Sequence, residues 1–324
     1  MQRADSAKLT GRDEFVARLT TKLTRELGDA IIAHLGDDKV IEIMLNPDGT
    51  LWVERLGEPM KQFGSMARSQ ALSMMATVAS SLDTQITAEN PILECELPLD
   101  GSRFEALVPP VVSGPTFTIR KKAVQIFTLE DYVTQGIMTP KLADVLSAAV
   151  RSKRNILVCG GTGTGKTTLT NAIIHEISTV APDHRLAIIE DTGELQCASE
   201  NAVIMRATDR VDMTRLLKAT LRLRPDRILV GEVRDGAALA LLKAWNTGHP
   251  GGAATVHANS AVAALVRMEQ LVAEAVQGPM QTLIAEAVNI VVSIEKTPDG
   301  RRVREVVEVV RWDGQNYETR PIDE

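Results

Sequence analysis

Aromatic side chains are scarce: Phe, Trp and Tyr make up 3% of the 324 residues. So few rings give no stacking platform for bases, and single-stranded nucleic-acid translocation gains no support. Cysteine is equally sparse. Cys95, Cys159 and Cys197 are an odd count without metal-ligand spacing, which points to reduced, mostly buried thiols rather than a disulfide framework or a zinc site. No run of 18 apolar residues occurs, and the opening Met-Gln-Arg-Ala-Asp-Ser-Ala-Lys has no apolar leader stretch. A soluble, cytosolic protein is the expectation, with docking on a membrane complex from the inside left open. Surplus positive charge is missing too: 36 basic against 42 acidic residues, formally −6, give no reason to expect direct nucleic-acid binding, although a local basic channel stays compatible.

What is present begins at mid-chain. Gly160-Gly161-Thr162-Gly163-Thr164-Gly165-Lys166-Thr167 is a complete G-x-x-x-x-G-K-T phosphate loop, followed by Thr168. The apolar run Ile156-Leu157-Val158-Cys159 before it reads as a buried strand, and residues 168–174 after it read as a helix. The glycines let successive N–H groups turn toward one anion. Lys166 presents a surface-facing cation to the β/γ-phosphates, and Thr167 offers a hydroxyl to Mg²⁺. A purely structural glycine turn is the competing reading. ATP and Mg²⁺ are the expected ligands.

The length favours two domains. Phe15, Leu19, Leu23, Leu27, Ile31 and Leu35 recur every four residues, predicting one amphipathic helix over about 13–35. Strands are expected at 40–45 and 51–54 around Asn46-Pro47-Asp48-Gly49, a helix at 66–81, and strands at 103–108 and 116–120. The first domain, 1–135, is therefore α+β with an antiparallel sheet. The linker falls within about 123–141, and Thr139-Pro140 opens a helix over 141–150. The second domain, 142–324, is α/β: Leu186 to Ile189 and Ile228 to Val230 are continuous apolar strands of a parallel sheet. Residues 290–294 and 303–310 flank Thr297-Pro298-Asp299-Gly300 as a hairpin.

In such sheets ligands bind beyond the carboxyl ends of the strands. Three polar segments are expected there: Glu190 to Glu194, Gly231 to Asp235, and Gly248 to Asn259. Carboxylates beside a triphosphate imply a metal between them. Glu232 is the candidate for a water-mediated Mg²⁺ contact and γ-phosphate sensing, Glu194 for the base or water-positioning residue; solvated loop ends are the alternative, and the sequence leaves the allocation open. His249 and His257 are eight apart with no patterned third ligand, so His257 is read as a γ-phosphate sensor rather than a metal ligand, against a plain core or surface histidine. Arg206, Arg210, Arg215, Arg222 and Arg224 lead into the acidic strand, either as surface ion pairs or as phosphate neutralisers across a subunit boundary.

These segments together resemble the VirB/TrbB-type secretion ATPase superfamily of type II and type IV systems. The matching stretches are 160–168, Ile189 to Leu195, Leu221 to Asp235 and Thr247 to Ser260. Leu45 to Arg55 and Ala244 to Gly252 fit the TrbB-type conjugal-transfer branch. The resemblance implies a RecA-like P-loop ATPase core with a smaller α+β N-terminal domain, assembled as a homo-hexameric ring. It implies nucleotide held between the domains of one subunit and closed by a neighbour. It further implies a motor for conjugative pilus assembly or type IV secretion, peripheral at the cytoplasmic face of the inner membrane and bound to inner-membrane components. By the same resemblance Arg103 and Arg120 match arginines near the phosphates. Lys166 and Thr167 match the phosphate and Mg²⁺ ligands, and Glu194, Glu232 and His257 the acidic and histidine-box residues. The chain departs from the wider pattern at Gly252 and Ala254, where Ser and Thr are frequent, while Thr255 stays available. Three scattered cysteines cannot build the four-cysteine zinc module of many type II and pilus-assembly relatives. A retraction motor fits the branch segments less well, and a non-hydrolytic switch has no use for both Glu194 and Glu232.

Overall fold

The computed structural model describes residues 11–122, 126–208 and 210–322. The chain divides into two compact units, Met1–Val124 and Gln125–Glu324.

The first unit carries α1 (Gly11–Leu27), α2 (Asp29–Leu35), β1 (Val40–Leu45), β2 (Thr50–Arg55), β3 (Lys61–Ser65), α3 (Arg68–Ser81), β4 (Ile92–Glu96), β5 (Arg103–Leu107) and β6 (Thr116–Arg120). The strands form one antiparallel sheet in the order β3-β2-β1-β6-β5-β4. Alternate residues Ile43, Leu45, Val53, Phe104, Ala106, Phe117 and Ile119 are buried, as a period of two demands for a sheet covered on one face. They share one core with Leu23, Leu27 and Ile31 of the first helices and Met74, Met75 and Val78 of α3. Burying Phe104 and Phe117 contributes about 1.5–3 kcal/mol each. The single helix expected over 13–35 is two. Gly28, at φ +83°, ends the first and opens the second, a left-handed backbone that glycine adopts without steric cost. Phe15 of the expected stripe is 56% exposed.

The second unit continues with α4 (Leu129–Thr134), α5 (Pro140–Arg151), β7 (Ile156–Gly160), α6 (Lys166–Val180), β8 (Leu186–Glu190), β9 (Ala202–Arg206), α7 (Met213–Thr220), β10 (Arg227–Val230), α8 (Ala237–Asn246), β11 (Ala253–His257), α9 (Ala261–Ala273), α10 (Gln281–Ala287), β12 (Ile290–Thr297), β13 (Gly300–Trp312) and β14 (Tyr317–Pro321). Residues 129–135, assigned from sequence to the first domain, belong here. A Thr128–Asp131 capping box starts α4, whose Leu129 and Tyr132 enter this unit's core. Thr139 caps α5 with Pro140 in its first turn.

The sheet order is β14-β13-β12-β7-β11-β10-β8-β9, with β12 through β9 parallel and the last two strands antiparallel. Successive residues of a central strand serve opposite cores. Leu157, Cys159, Ile228 and Val230 pack with α7 to α10, whereas Ile156, Val158 and Leu229 pack with α4 to α6. Two-sided burial explains why β7, β8 and β10 read as unbroken apolar runs.

At the amino ends of these strands Arg227 is 1% exposed. Its guanidinium donates to Gly251 O (3.0 Å), Val150 O (2.9 Å) and His184 Nδ1 (3.0 Å). Beside it Asn155 Oδ1 accepts from Gly251 N (2.7 Å) and Gly252 N (3.1 Å) while its amide donates to Ala287 O (2.7 Å). Buried polar groups are thereby satisfied and the starts of β7, β10 and β11 tied together. Among the described residues no helix is long and apolar enough to cross a membrane. The three cysteines are free, and burial pushes the thiol of Cys95 up to about 12 and that of Cys159 up to about 11.

Candidate functional site

Strands β7, β11, β10 and β8 are neighbours, so their carboxyl ends bring the phosphate loop, His257, Glu232 and the 190–195 loop to one edge. Gly163 (φ +70°) and Gly165 (φ +97°) carry the left-handed turns that wrap the loop into α6. A side chain at Gly163 would meet open space, and Thr162 and Gly163 form the exposed crest. Thr164 donates to Gly161 O (3.0 Å). Gly160 is needed for space: a Cβ there would lie 2.4 Å from Ile294 O.

Lys166 is 7% exposed rather than surface-facing. Its ammonium folds back over the loop, donating to Gly160 O (3.1 Å) and Gly161 O (2.9 Å) and lying 3.3 Å from His257 Nδ1. Burial pulls it below the usual lysine value, with Glu232 opposing. Thr167 and Thr168 are half-buried in the first turn of α6.

From Lys166 a polar chain crosses the strand ends. His257 Nε2 is 3.1 Å from Glu232 Oε1, Glu232 Oε2 accepts from Arg234 Nη2 (3.0 Å), and Arg234 Nη1 donates to Asp191 Oδ2 (2.7 Å). Burial acts to raise Glu232, but Arg234, His257 and Lys166 outweigh it and hold the carboxyl below the usual glutamate range. Burial lowers His257, and Glu232 only partly offsets this. A neutral imidazole that donates from Nε2 and accepts at Nδ1 satisfies both neighbours.

Glu194 sits on a loop fixed from two sides. Asn171 Nδ2 donates to Glu194 O (3.0 Å) and Asn171 Oδ1 accepts from Gln196 N (3.0 Å). The Glu190 carboxylate, 2% exposed, accepts from Leu195 N (2.9 Å). Burial raises Glu190, so this acid shapes the loop instead of meeting solvent as a strand-end carboxylate.

The third expected loop is itself a strand. Residues 253–257 are β11, seated between β7 and β10, with His257 as its last residue. His249 precedes the strand, its Nδ1 2.9 Å from Pro225 O, so the two histidines lie at opposite ends of it. Thr255 is not available as expected: it is 1% exposed and its hydroxyl donates to Gly231 O (2.7 Å). The departure at Gly252 has a steric cause. A Cβ there would lie 2.0 Å from Ile228 O and 2.4 Å from Trp245 Nε1, and that indole donates to Ile228 O (3.1 Å).

Arg103 and Arg120 are direct cross-strand partners on β5 and β6 of the first unit, and Arg120 is ion-paired with Glu42 across β1. Arg206, Arg210, Arg215, Arg222 and Arg224 are all exposed. Sequence reasoning missed Arg234, whose signal was its place two residues after Glu232, and Glu190, whose burial no local pattern announces. Among the described residues no group of three or more His, Cys, Asp or Glu is arranged to hold a metal by itself.

The combination defines a class: the chain belongs to the type II/IV secretion system protein family, whose pattern matches residues 25–302. Within it, the chain is 55% identical over 301 residues to the probable conjugal transfer protein TrbB of Sinorhizobium fredii, covering 93% of each. It is 31% identical over 342 aligned residues to the type IV secretion system protein VirB11 of Bartonella henselae, covering 91% of this chain and 94% of that one. The fold is the α/β fold of the Legionella pneumophila ATPase DotB, with a TM-score of 0.63 at 17% identity over 99% of this chain and 84% of that one.

Proposed function

We propose that this chain is a Mg²⁺-dependent ATP hydrolase, acting as a homo-hexameric motor for conjugative type IV secretion or pilus assembly at the cytoplasmic face of the inner membrane. The observation that carries the catalytic part is the continuous chain Lys166, His257, Glu232, Arg234, Asp191 beside the phosphate loop. The similarity to conjugal transfer proteins supports the cellular part.

The residues fit the ligands. The N-terminus of α6 has no side-chain cap and its dipole favours an anion. Thr167 and Glu232 offer a hydroxyl and one carboxylate, a donor set suited to a Mg²⁺ that takes its other oxygens from phosphates and water. When bound, that ion neutralises charge on the transferring phosphoryl group. Residues 160–168 bind and orient the phosphates, with Lys166 supplying the cation. Glu232 holds its charge because Arg234 and His257 stabilise it, and His257 reports on occupancy because it touches Lys166 and Glu232 at once. Glu194, on the loop held by Asn171, is the candidate for the base or for the residue that orients the attacking water. Arg103 and Arg120 enter this proposal through the family resemblance, as further phosphate contacts.

The test is ATP turnover by the pure protein beside Lys166→Ala, with light scattering of the nucleotide-bound sample. Turnover lost on substitution and a six-subunit mass are expected. Wild-type turnover by the variant sinks the site, and full activity as a monomer sinks the ring.

A further inference from the structure

The β12–β13 hairpin lies along the phosphate loop on the flank away from the acids. Sheet order puts β12 on one side of β7 and β11, β10 on the other. The hairpin is tight, with Lys296 opposite Arg301 and Thr297 opposite Gly300. It touches the loop at both ends. Ile294 O closes on Gly160, and a Cβ at Gly165 would meet Arg301 Cδ at 3.0 Å, Nε at 3.2 Å and Cζ at 3.8 Å. The Arg301 side chain therefore lies on the residue that immediately precedes Lys166 and α6.

Arg301 is half-buried, its electrostatic neighbour is the neutral phenol of Tyr132, and among the described residues its guanidinium has no hydrogen-bond or ion-pair partner. It stands at the positive end of the α6 dipole, where a cation is unfavourable, and beside a loop that already carries the Lys166 ammonium. A positive fork held against a positive helix end lacks one thing, an anion to span them. Guanidinium geometry matches phosphate oxygens bidentately.

Resting on the nucleotide site above, we infer that Arg301 is a phosphate-contacting residue of that site, recognising the diphosphate portion common to ATP and ADP. Its flank decides the portion: Glu232 and His257 stand on the opposite side of β7, so an Arg301 contact does not depend on the terminal phosphate they sense. Arg301 then retains ADP after hydrolysis, and its loss speeds product release.

The experiment titrates ADP and inorganic pyrophosphate into full-length wild type, Arg301→Gln, Arg301→Lys and Lys166→Ala, with thermal melting as the folding control. Arg301→Gln is expected to weaken both ligands about tenfold or more, the loss of a charge-assisted pair, and Arg301→Lys to weaken them less. Weakened ADP with unchanged pyrophosphate would mean that the guanidinium stacks on the base, overturning the phosphate role. Wild-type affinities in Arg301→Gln, with both ligands lost in Lys166→Ala, would overturn the role of Arg301 and leave the loop site standing. Wild-type binding by Lys166→Ala removes the site and this inference together. If Arg301→Gln melts early, Arg301→Lys carries the test, since it keeps the stem and charge: a several-fold loss on both ligands supports the inference and no change refutes it.

Discussion

Lys166, the first residue of α6, and His257, the last residue of β11, are hydrogen-bonded, Nζ to Nδ1 at 3.3 Å, although ninety-one positions separate them in the chain. The contact joins the Lys166 ammonium to the Glu232 carboxylate through a single imidazole. His257→Ala removes both links without touching the loop. Turnover is expected to fall about tenfold or more while ADP affinity changes less than threefold, the signature of a group acting on the reacting state. Equal losses in both would count against the sensor role.

Arg234 grips two carboxylates with one fork. Arg234→Lys keeps the charge but cannot span Glu232 and Asp191 together, so kcat should drop several-fold with little change in KM, and Arg234→Ala should lose more. Its removal also lets burial dominate at Glu232, so the acidic limb of the pH–rate profile should move upward. A profile unmoved in Arg234→Ala would show that the clamp does not hold Glu232 ionised.

Gly252→Ser, which restores a residue frequent in the wider family pattern, should destabilise the second unit by about 1–3 kcal/mol or more through overpacking. The clash is with Ile228 O and the Trp245 indole. Trp245→Leu added to it should recover part of the loss. Urea melts of the single and double variants decide this, and purely additive losses would exclude the steric pairing.

Burial raises Glu190 above its ordinary value. A raised carboxyl binds its proton more tightly in the folded state, so its contribution to stability is greatest at acid pH and lost as pH climbs from the ordinary glutamate range through the folded value. Glu190→Gln keeps an acceptor for Leu195 N and removes the titration. The variant should gain stability relative to wild type as pH rises through that window, measured by denaturant unfolding at a series of pH values. A pH-independent difference would mean that Glu190 keeps its normal affinity for protons.

The phosphate loop, the first hairpin and the β12–β13 turn are legible in sequence because each is written in contiguous residues with a local rule: glycines before Lys166, Asn46 to Gly49, Thr297 to Gly300. Strand β11 is not legible because it opens on Ala253-Ala254, leaving Thr255-Val256 too short a β-branched signal, and Gly252 before it is small because Trp245 of α8 packs there. The polar edge strand β3 and the C-terminal β14 escape because pairing rather than composition defines them, and β9, an apolar Ala-Val-Ile-Met run at the other edge, is too short to declare itself without its partner β8. The break at Gly28 is hidden by an apolar spacing that continues across it. Of the site, the glutamates and His257 are visible as motif members, whereas Arg234 as a clamp, Glu190 as a loop anchor and Arg301 over Gly165 depend on contacts that only folding creates.

The knot of Arg227 and Asn155 has a mechanical consequence. It pins three strands at the end of the sheet remote from the phosphate loop, through carbonyls and amides of Val150, Gly251 and Gly252. A sheet clamped at one edge is a cantilever. Displacements imposed by the proposed ligand at Gly160, Glu232 and His257 would be largest at the free ends of the strands and smallest at the root. If the proposed ATPase cycle moves these strands, the loops above β10 and β11 would travel most, and the backbone around residue 251, held by Arg227 and Asn155, would be the fixed point.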